Sequence, residues 1–99
     1  LLKQILLATK DNSVLLLKYS KEGIALFPAQ PFVYLINGST LNVNREFKKA
    51  LEILQNGIDF VIEDAMEVLF YKEMALAYKG LNNKVEERKY MEKYKKLVN

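Results

Sequence analysis

Hydrophobic side chains recur at steps of three and four residues along two long segments of the chain, residues 44–58 and 66–81. This spacing places them on one face of an α-helix, so it predicts two amphipathic helices that pack with that face inward. Asn44 and Asp64 are predicted to cap the two helices, because a short polar side chain accepts a hydrogen bond from an unpaired backbone N–H. The apolar positions are Phe47, Ala50, Leu51, Leu54 and Ile58 in the first segment, and Met66, Leu69, Phe70, Met74, Ala77 and Leu81 in the second.

A third segment has a pattern that favours strands. Residues 32–36 form an unbroken apolar run, Asn37-Gly38 follows, and Ser-Thr-Leu-Asn-Val comes next. Two such runs around Asn-Gly are the local signal of a β-hairpin. An isolated hairpin among helices would leave its strand edges unpaired. The local pattern therefore leaves helix and hairpin open, and a longer-range pattern has to decide between them.

A motif repeats after 34 residues, since Gly23-Ile24-Ala25-Leu26 is echoed by Gly57-Ile58-Asp59-Phe60. The tetratricopeptide repeat, a helix-turn-helix unit, has this period. The register continues into a third unit with a shift of 37, as from Tyr34 to Tyr71, and the three extra residues are expected in the connector around residues 59–67. On these positions the chain resembles the tetratricopeptide repeat family. The positions that carry the resemblance are Gly23, Pro28, Tyr34, Gly38, Ala50, Gly57, Tyr71, Ala75 and Tyr78.

The resemblance implies an all-α fold, an α-solenoid of about three units with about six antiparallel helices in a right-handed superhelix. Residues 1–30 would be a partial first repeat, residues 31–64 the second and residues 65–99 the third, in a single domain excised from a longer, bacterial array. In this register the segment around Asn37 is helical, and Gly38 is a point of close packing between helices. Asn37 departs from the family, which has a large apolar residue there, and Glu87 and Tyr94 replace small residues.

Charge and composition narrow the functional classes. The chain has 99 residues, about half of them hydrophobic, with no cysteine, histidine or tryptophan. Its net charge of +3 equals the excess of six Lys/Arg over three Glu in residues 84–99. This basic end is interpreted as a solvated helix face, which suits a helix C-terminus. The alternative interpretation is a surface for nucleic acid or an anionic membrane.

Candidate chemistry is sparse. Without cysteine and histidine, the chain lacks the usual nucleophile and base, so it is predicted not to be an enzyme and to need no cofactor. Glu63, Asp64 and Glu67 lack the spacing of a calcium loop, and acidic residues at a helix start are explained by the helix dipole, so no metal is predicted. No membrane span or signal peptide is recognised in the chain. The compartment stays open between cytoplasm and bacterial periplasm.

The family resemblance also implies a binding surface, the concave face built from the first helix of each unit. Chaperone-tail binding is not expected, because only Lys72 resembles a residue of the lysine and asparagine clamp used for it. An apolar or helical peptide would fit better. The alternative is that neighbouring repeats or another copy of the chain cover these side chains. The predicted residues are Phe32, Leu35, Ser39 and Asn42 in the second unit, and Leu69, Lys72, Leu76 and Lys79 in the third.

The sequence therefore predicts a non-catalytic scaffold that binds a protein or peptide partner, with a homo-oligomer also open. The alternative is a regulatory or substrate-positioning segment of a larger enzyme or nucleic-acid-binding protein that uses the basic last helix. Nucleic acid is the less favoured partner, because the apolar residues of that helix suit packing rather than base stacking.

Overall fold

The computed structural model describes residues 13–99, which form five α-helices and no strand. The predicted all-α fold class is therefore confirmed for this part of the chain. Residues 1–12, with which the predicted partial first repeat begins, lie outside the described residues. The five helices are α1 (Ser13–Leu26), α2 (Pro31–Val43), α3 (Phe47–Ile58), α4 (Asp64–Gly80) and α5 (Lys84–Val98).

Helix α2 resolves the choice between helix and hairpin. It begins at Pro31, which suits the first helical position because the N–H that proline lacks would be unpaired there. The Gln30 side chain caps this end by accepting a hydrogen bond from the N–H of Phe32 at 3.3 Å. Asn37 and Gly38 lie in the middle of the helix, and both are buried. Because α2 packs against α1, α3 and α4, its burial outweighs the turn preference of Asn-Gly.

The predicted N-cap at Asn44 is wrong. Helix α2 continues further than its pattern indicated, so Asn44 is its C-cap. Arg45 then adopts a left-handed conformation, with φ of 63°, and turns the chain. Helix α3 begins only at Phe47, and the side chain of Glu46 at its N-cap makes no capping hydrogen bond.

The predicted cap at Asp64 is wrong by one position. Helix α4 begins at Asp64 itself, and Glu63 occupies the N-cap without a side-chain capping bond. The carboxylate of Asp64 still lies in the first turn, where it interacts favourably with the helix dipole. Two asparagines form the turn between α4 and α5: Asn82 has φ of 60°, and Asn83 Oδ1 accepts a hydrogen bond from the N–H of Glu86 at 3.2 Å.

Close contacts at glycines fix how α2 and α3 pack. A Cβ on Gly57 would lie 2.2 Å from Cβ of Tyr34, and a Cβ on Gly38 would lie 2.6 Å from Cγ of Leu54. The start of α2 therefore meets the end of α3, and the two helices are antiparallel. Only a residue without a side chain permits this approach.

Helix α4 packs on both α3 and α2. Gly57 of α3 faces Phe70, whose Cε1 would lie 3.1 Å from an added Cβ. At the other end of α4, an added Cβ on Gly80 would lie 2.4 Å from the ring of Phe47. These two contacts make α3 and α4 antiparallel as well. The core lies between α2, α3 and α4, where Val33, Leu54 and Phe70 are each 0% exposed.

Most residues of the repeat pattern are buried where helices meet. Pro28 is exposed in the connector between α1 and α2, and its carbonyl oxygen accepts a hydrogen bond from the Tyr34 hydroxyl at 2.7 Å. Tyr71 and Tyr78 are half-buried on α4. The buried members are Gly23, Tyr34, Gly38, Ala50, Gly57 and Ala75.

A buried polar pair joins α1 to α2. Asn37 Nδ2 donates to Ser20 Oγ at 2.9 Å, and Ser20 Oγ donates to the carbonyl oxygen of Leu17 at 3.2 Å. Asn37 is 6% exposed and Ser20 is 0% exposed. Asn37, which departs from the family pattern, is therefore tolerated in the core because Ser20 accepts its hydrogen bond.

We expect Ser20→Ala to lower the free energy of unfolding by about 1 to 3 kcal/mol, because it leaves the Asn37 amide without this acceptor. Adding Asn37→Leu should recover most of the loss, since both polar groups are then removed. Chemical denaturation of the wild type, the two single variants and the double variant measures this coupling. Strictly additive losses would show that the two side chains do not depend on each other.

Gly57→Ala should destabilise the protein by about 1 to 3 kcal/mol, because its new Cβ meets Cβ of Tyr34, which is anchored to the backbone of α2. Gly80→Ala is the matched control. Its Cβ meets the tip of the half-buried Phe47 ring, which has room to move, so a smaller loss is expected. Thermal and urea unfolding compare the two variants, and equal stability of both would contradict the packing described for Gly57.

Candidate functional site

Helix α4 carries the exposed half of the predicted binding face. Leu69 and Leu76 are 46% and 44% exposed on this helix. Lys72 and Lys79 are exposed beside them. The four residues follow the spacing of one helix face, so α4 presents an apolar stripe interrupted by two positive charges.

Helix α2 contributes much less of this face. Leu35 and Asn42 are only 7% and 8% exposed, and Phe32 and Ser39 are half-buried. The sequence pattern did not reveal this, because it located the first-helix positions without showing that α2 is covered on three sides. In this conformation Leu35 belongs to the core and offers little surface to a partner.

Asn42 has a structural role in addition to its predicted place on the binding face. Its Nδ2 donates to the backbone carbonyl oxygen of Glu73 at 2.9 Å and to Glu73 Oε1 at 3.0 Å. These bonds tie α2 directly to α4. Among the described residues, the buried Oδ1 of Asn42 has no hydrogen-bond partner. The orientation of the Asn42 amide is nevertheless determined. If the amide were flipped, its oxygen would face two acceptor oxygens of Glu73, and neither contact would be a hydrogen bond.

A groove of about 290 Å³ runs between α4 and α5. The structure brings Lys72, Leu76 and Lys79 of the predicted set together here, and it adds a second wall that the sequence reasoning missed. The sequence does contain a pattern that indicates this second wall. Glu87, Met91 and Tyr94 on α5 have the same spacing as Lys72, Leu76 and Lys79 on α4. We call this feature the α4–α5 groove, lined by Lys72, Ala75, Leu76, Lys79, Glu87, Met91 and Tyr94.

The electrostatics of the groove are mildly positive. Lys72 and Lys79 stand on one wall, and Glu87 stands on the other. The ion pairs within residues 13–99 join other side chains, so neither lysine of the groove is neutralised by a described carboxylate. Both ammonium groups are exposed and available to a carboxylate from outside the chain.

An aromatic cluster fixes the position of α5 against α4. The rings of Tyr78 and Tyr90 stack with centroids 5.5 Å apart, and the Tyr71 and Tyr90 centroids lie 5.9 Å apart. Lys93 Nζ lies 4.9 Å from the Tyr90 centroid and 5.5 Å from the Tyr71 centroid, within the range of cation–π attraction. This cluster stabilises the helix pair that forms the groove.

Tyr71 also donates a short hydrogen bond to Glu67 Oε1 on the preceding turn of α4. This bond and partial burial raise the pKa of Tyr71 from 10.0 to about 12. Burial, followed by the nearby charge of Glu86, raises the pKa of Tyr90 as well. The cluster therefore keeps its hydroxyl protons throughout the physiological range, and it acts here as a structural element.

Another cavity, of about 800 Å³, lies between α1 and α3 over α2. Its rim carries charges of both signs, Lys18, Lys21 and Lys49 against Glu46 and Glu52. None of the eight predicted binding residues lines it.

Two further observations concern chemistry and membranes. Within residues 13–99, no group of three acidic side chains is placed to hold a metal ion. None of the five described helices has both the length and the apolar character needed to cross a bilayer. Comparison of the chain with protein-family models, curated proteins and solved structures finds no match.

Tyr71 should titrate near pH 12, and Glu67→Ala should move this titration toward 10, because it removes the hydrogen bond to the Glu67 carboxylate, which is the largest cause of the shift. Because the folded state holds the proton more tightly than the unfolded state, the stabilisation is present below pH 10 and is lost as pH rises to about 12. NMR of the tyrosine ring carbons, with Tyr71→Phe to assign the signal, measures the midpoint. A wild-type midpoint at 10 would contradict the hydrogen bond to Glu67.

Proposed function

We propose that this protein is a non-catalytic interaction module of the tetratricopeptide type, and that it binds an amphipathic peptide or partner helix along α4. The observation that carries the proposal is the α4–α5 groove, in which Leu76 meets Met91 and Tyr94 between the free ammonium groups of Lys72 and Lys79. Leu69 extends the apolar stripe of α4 beyond the groove.

The internal packing supports a repeat architecture. Helices α2 and α3 form one antiparallel pair, and α4 packs on both members of that pair. Helices α2, α3 and α4, each antiparallel to the one before, agree with a stack of helix-turn-helix units, as do the repeated glycines. The proposal includes the full α-solenoid, with units at residues 1–30, 31–64 and 65–99 and a right-handed superhelix.

The register of the repeat indicates what the groove accepts. With the shift of 37 residues, Leu54 and Gly57 of α3 correspond to Met91 and Tyr94 of α5. Leu54 and Gly57 are buried, and Gly57 packs against α4. Met91 and Tyr94 are only half-buried and line the groove. The surface of α3 that α4 covers therefore has an uncovered counterpart on α5. A ligand helix has the shape that would fit this uncovered surface.

The side chains of the groove define the chemistry of that ligand. The apolar lining of the groove favours a ligand helix with apolar residues on one face; this lining consists of Leu76, Met91 and Tyr94. The flexible methionine side chain adapts to ligands of different shape. Lys72 and Lys79 stand about two turns of helix apart, and both favour carboxylates on the ligand. We therefore infer an acidic amphipathic helix.

The alternative partner, nucleic acid on the basic last helix, has less support. Lys93 lies over the rings of Tyr71 and Tyr90, so these rings do not offer free faces for base stacking. Lys89 also lies within 4.0 Å of Glu86. A regulatory or substrate-positioning role within a larger enzyme remains compatible with a helix-binding groove.

We expect Leu76→Glu to weaken binding of an acidic amphipathic peptide of about 15 residues by about tenfold or more, since it removes an apolar contact and adds a repelling charge. The probe carries leucines at helical spacing with glutamates elsewhere, and calorimetry measures its affinity. Val43→Glu is the matched control, because Val43 is 73% exposed on α2 and does not line the groove.

Amide shifts of Met91 and Tyr94 on titration would place the peptide in the groove, and circular dichroism would verify that both variants remain folded. The proposal is contradicted when the two variants bind equally well, or when the shifted amides lie elsewhere. A salt-dependent nucleic acid complex that disappears in Lys95→Glu with Lys96→Glu would favour the alternative instead.

A further inference from the structure

The connectors between the helix pairs form a second surface, distinct from the α4–α5 groove. The α1–α2 connector and the α3–α4 connector lie side by side, because residues of both line one cavity of about 300 Å³. Ile62 is 94% exposed and Phe60 is 39% exposed, although both are large apolar side chains. We call this surface the connector edge, lined by Ala29, Pro31, Phe60, Ile62, Glu63 and Met66.

The connector edge is held in place by hydrogen bonds and ring stacking. The Tyr34 hydroxyl donates to the Pro28 carbonyl oxygen at 2.7 Å, which fixes the first connector. The ring of Tyr34 also stacks on Phe60, with centroids 5.8 Å apart, which fixes the second. One buried tyrosine therefore orients both sides of the cavity. A preformed surface loses little conformational entropy when a ligand binds.

The charge of the connector edge is negative. The sequence has no lysine or arginine in residues 22–44 or in residues 50–71, the two stretches that contain the connectors. Glu63 lines the cavity, and the exposed residues Asp59 and Asp64 flank the second connector. Among the described residues, none of these three carboxylates takes part in an ion pair. The edge is thus an apolar cavity with an acidic rim.

We propose that the connector edge is a second docking surface and that it binds a basic amphipathic peptide segment. Ile62, Phe60 and Met66 would receive the apolar side chains, and the carboxylates of Glu63 and Asp64 would receive lysine or arginine. This charge preference is opposite to that of the α4–α5 groove, so the two surfaces select different ligands. The proposal stands independently of the function proposed for the groove.

Two other occupants fit less well. An anionic membrane would be repelled by the rim of Asp59, Glu63 and Asp64. The described helix of a second copy that has the largest excess of basic residues is α5. The apolar side chains of α5 that are largely exposed are only Val85 and Val98, at 77% and 50%, which provides no continuous anchor.

The test uses the peptide probe described above with every glutamate replaced by lysine. We expect it to bind at low salt, to shift the amides of Phe60, Ile62 and Glu63, and to weaken as salt is raised. Ile62→Ser should weaken binding about tenfold or more, and Glu63→Lys with Asp64→Lys should do the same. The control for charge is Glu52→Lys with Glu92→Lys, which changes the net charge equally at exposed positions outside the edge.

Unchanged affinity in Ile62→Ser, or an equal loss in the control pair, would overturn the proposal. So would binding to vesicles of phosphatidylcholine and phosphatidylserine that disappears in Ile62→Ser, or self-association in sedimentation that disappears in the same variant. Because the acidic probe reports on the α4–α5 groove and the lysine probe on the connector edge, failure of one surface is distinguishable from failure of the other.

Discussion

The closeness of three helices at one glycine governs the arrangement of this protein. Gly57 of α3 faces the root of the Tyr34 side chain on α2 and the ring of Phe70 on α4. Since both neighbours are buried, α3 sets the separation of α2 from α4. The hydrogen bonds from Asn42 to Glu73 depend on that separation. The outer face of α4, which forms the proposed groove, is positioned by the same contact.

Much of the fold could be predicted from the sequence, because helix periodicity is a property of the chain itself. The apolar positions from Phe47 to Ile58 and from Met66 to Ala77 lie in α3 and α4, and Leu81 follows directly after α4. The segment around Asn37 is helical despite its Asn-Gly pair. The residues at which helices begin and end were harder to predict from the sequence. Asn44 and Asp64 were assigned as N-caps because they precede apolar runs, whereas a helix end depends on where the preceding helix stops and on the turn between them.

The site was predictable in part, for a related reason. The register of the family resemblance placed Leu69, Lys72, Leu76 and Lys79 on one helix face, and that face of α4 is exposed. The same reasoning failed to foresee the burial of Leu35, because a helical pattern does not reveal how many neighbours cover the helix. The α5 wall and the connector edge result from tertiary packing. Each of these surfaces combines side chains from two separate segments of the chain. The pattern within one segment does not indicate which other segment will lie beside it. The net charge of +3 likewise does not indicate that the α4–α5 groove is positive and the connector edge is negative.

The buried pair of Asn37 and Ser20 has a consequence for folding fidelity. A chain with several amphipathic helices can pair the wrong helices during folding, since any apolar face can cover another. At the position in α4 that corresponds to Asn37 stands Met74, which has no amide to satisfy. A helix other than α1 that packed against α2 would have to supply a hydroxyl at the same point or leave the Asn37 amide without its partner. This single polar contact therefore favours the pairing of α2 with α1 over its pairing with another helix of the chain.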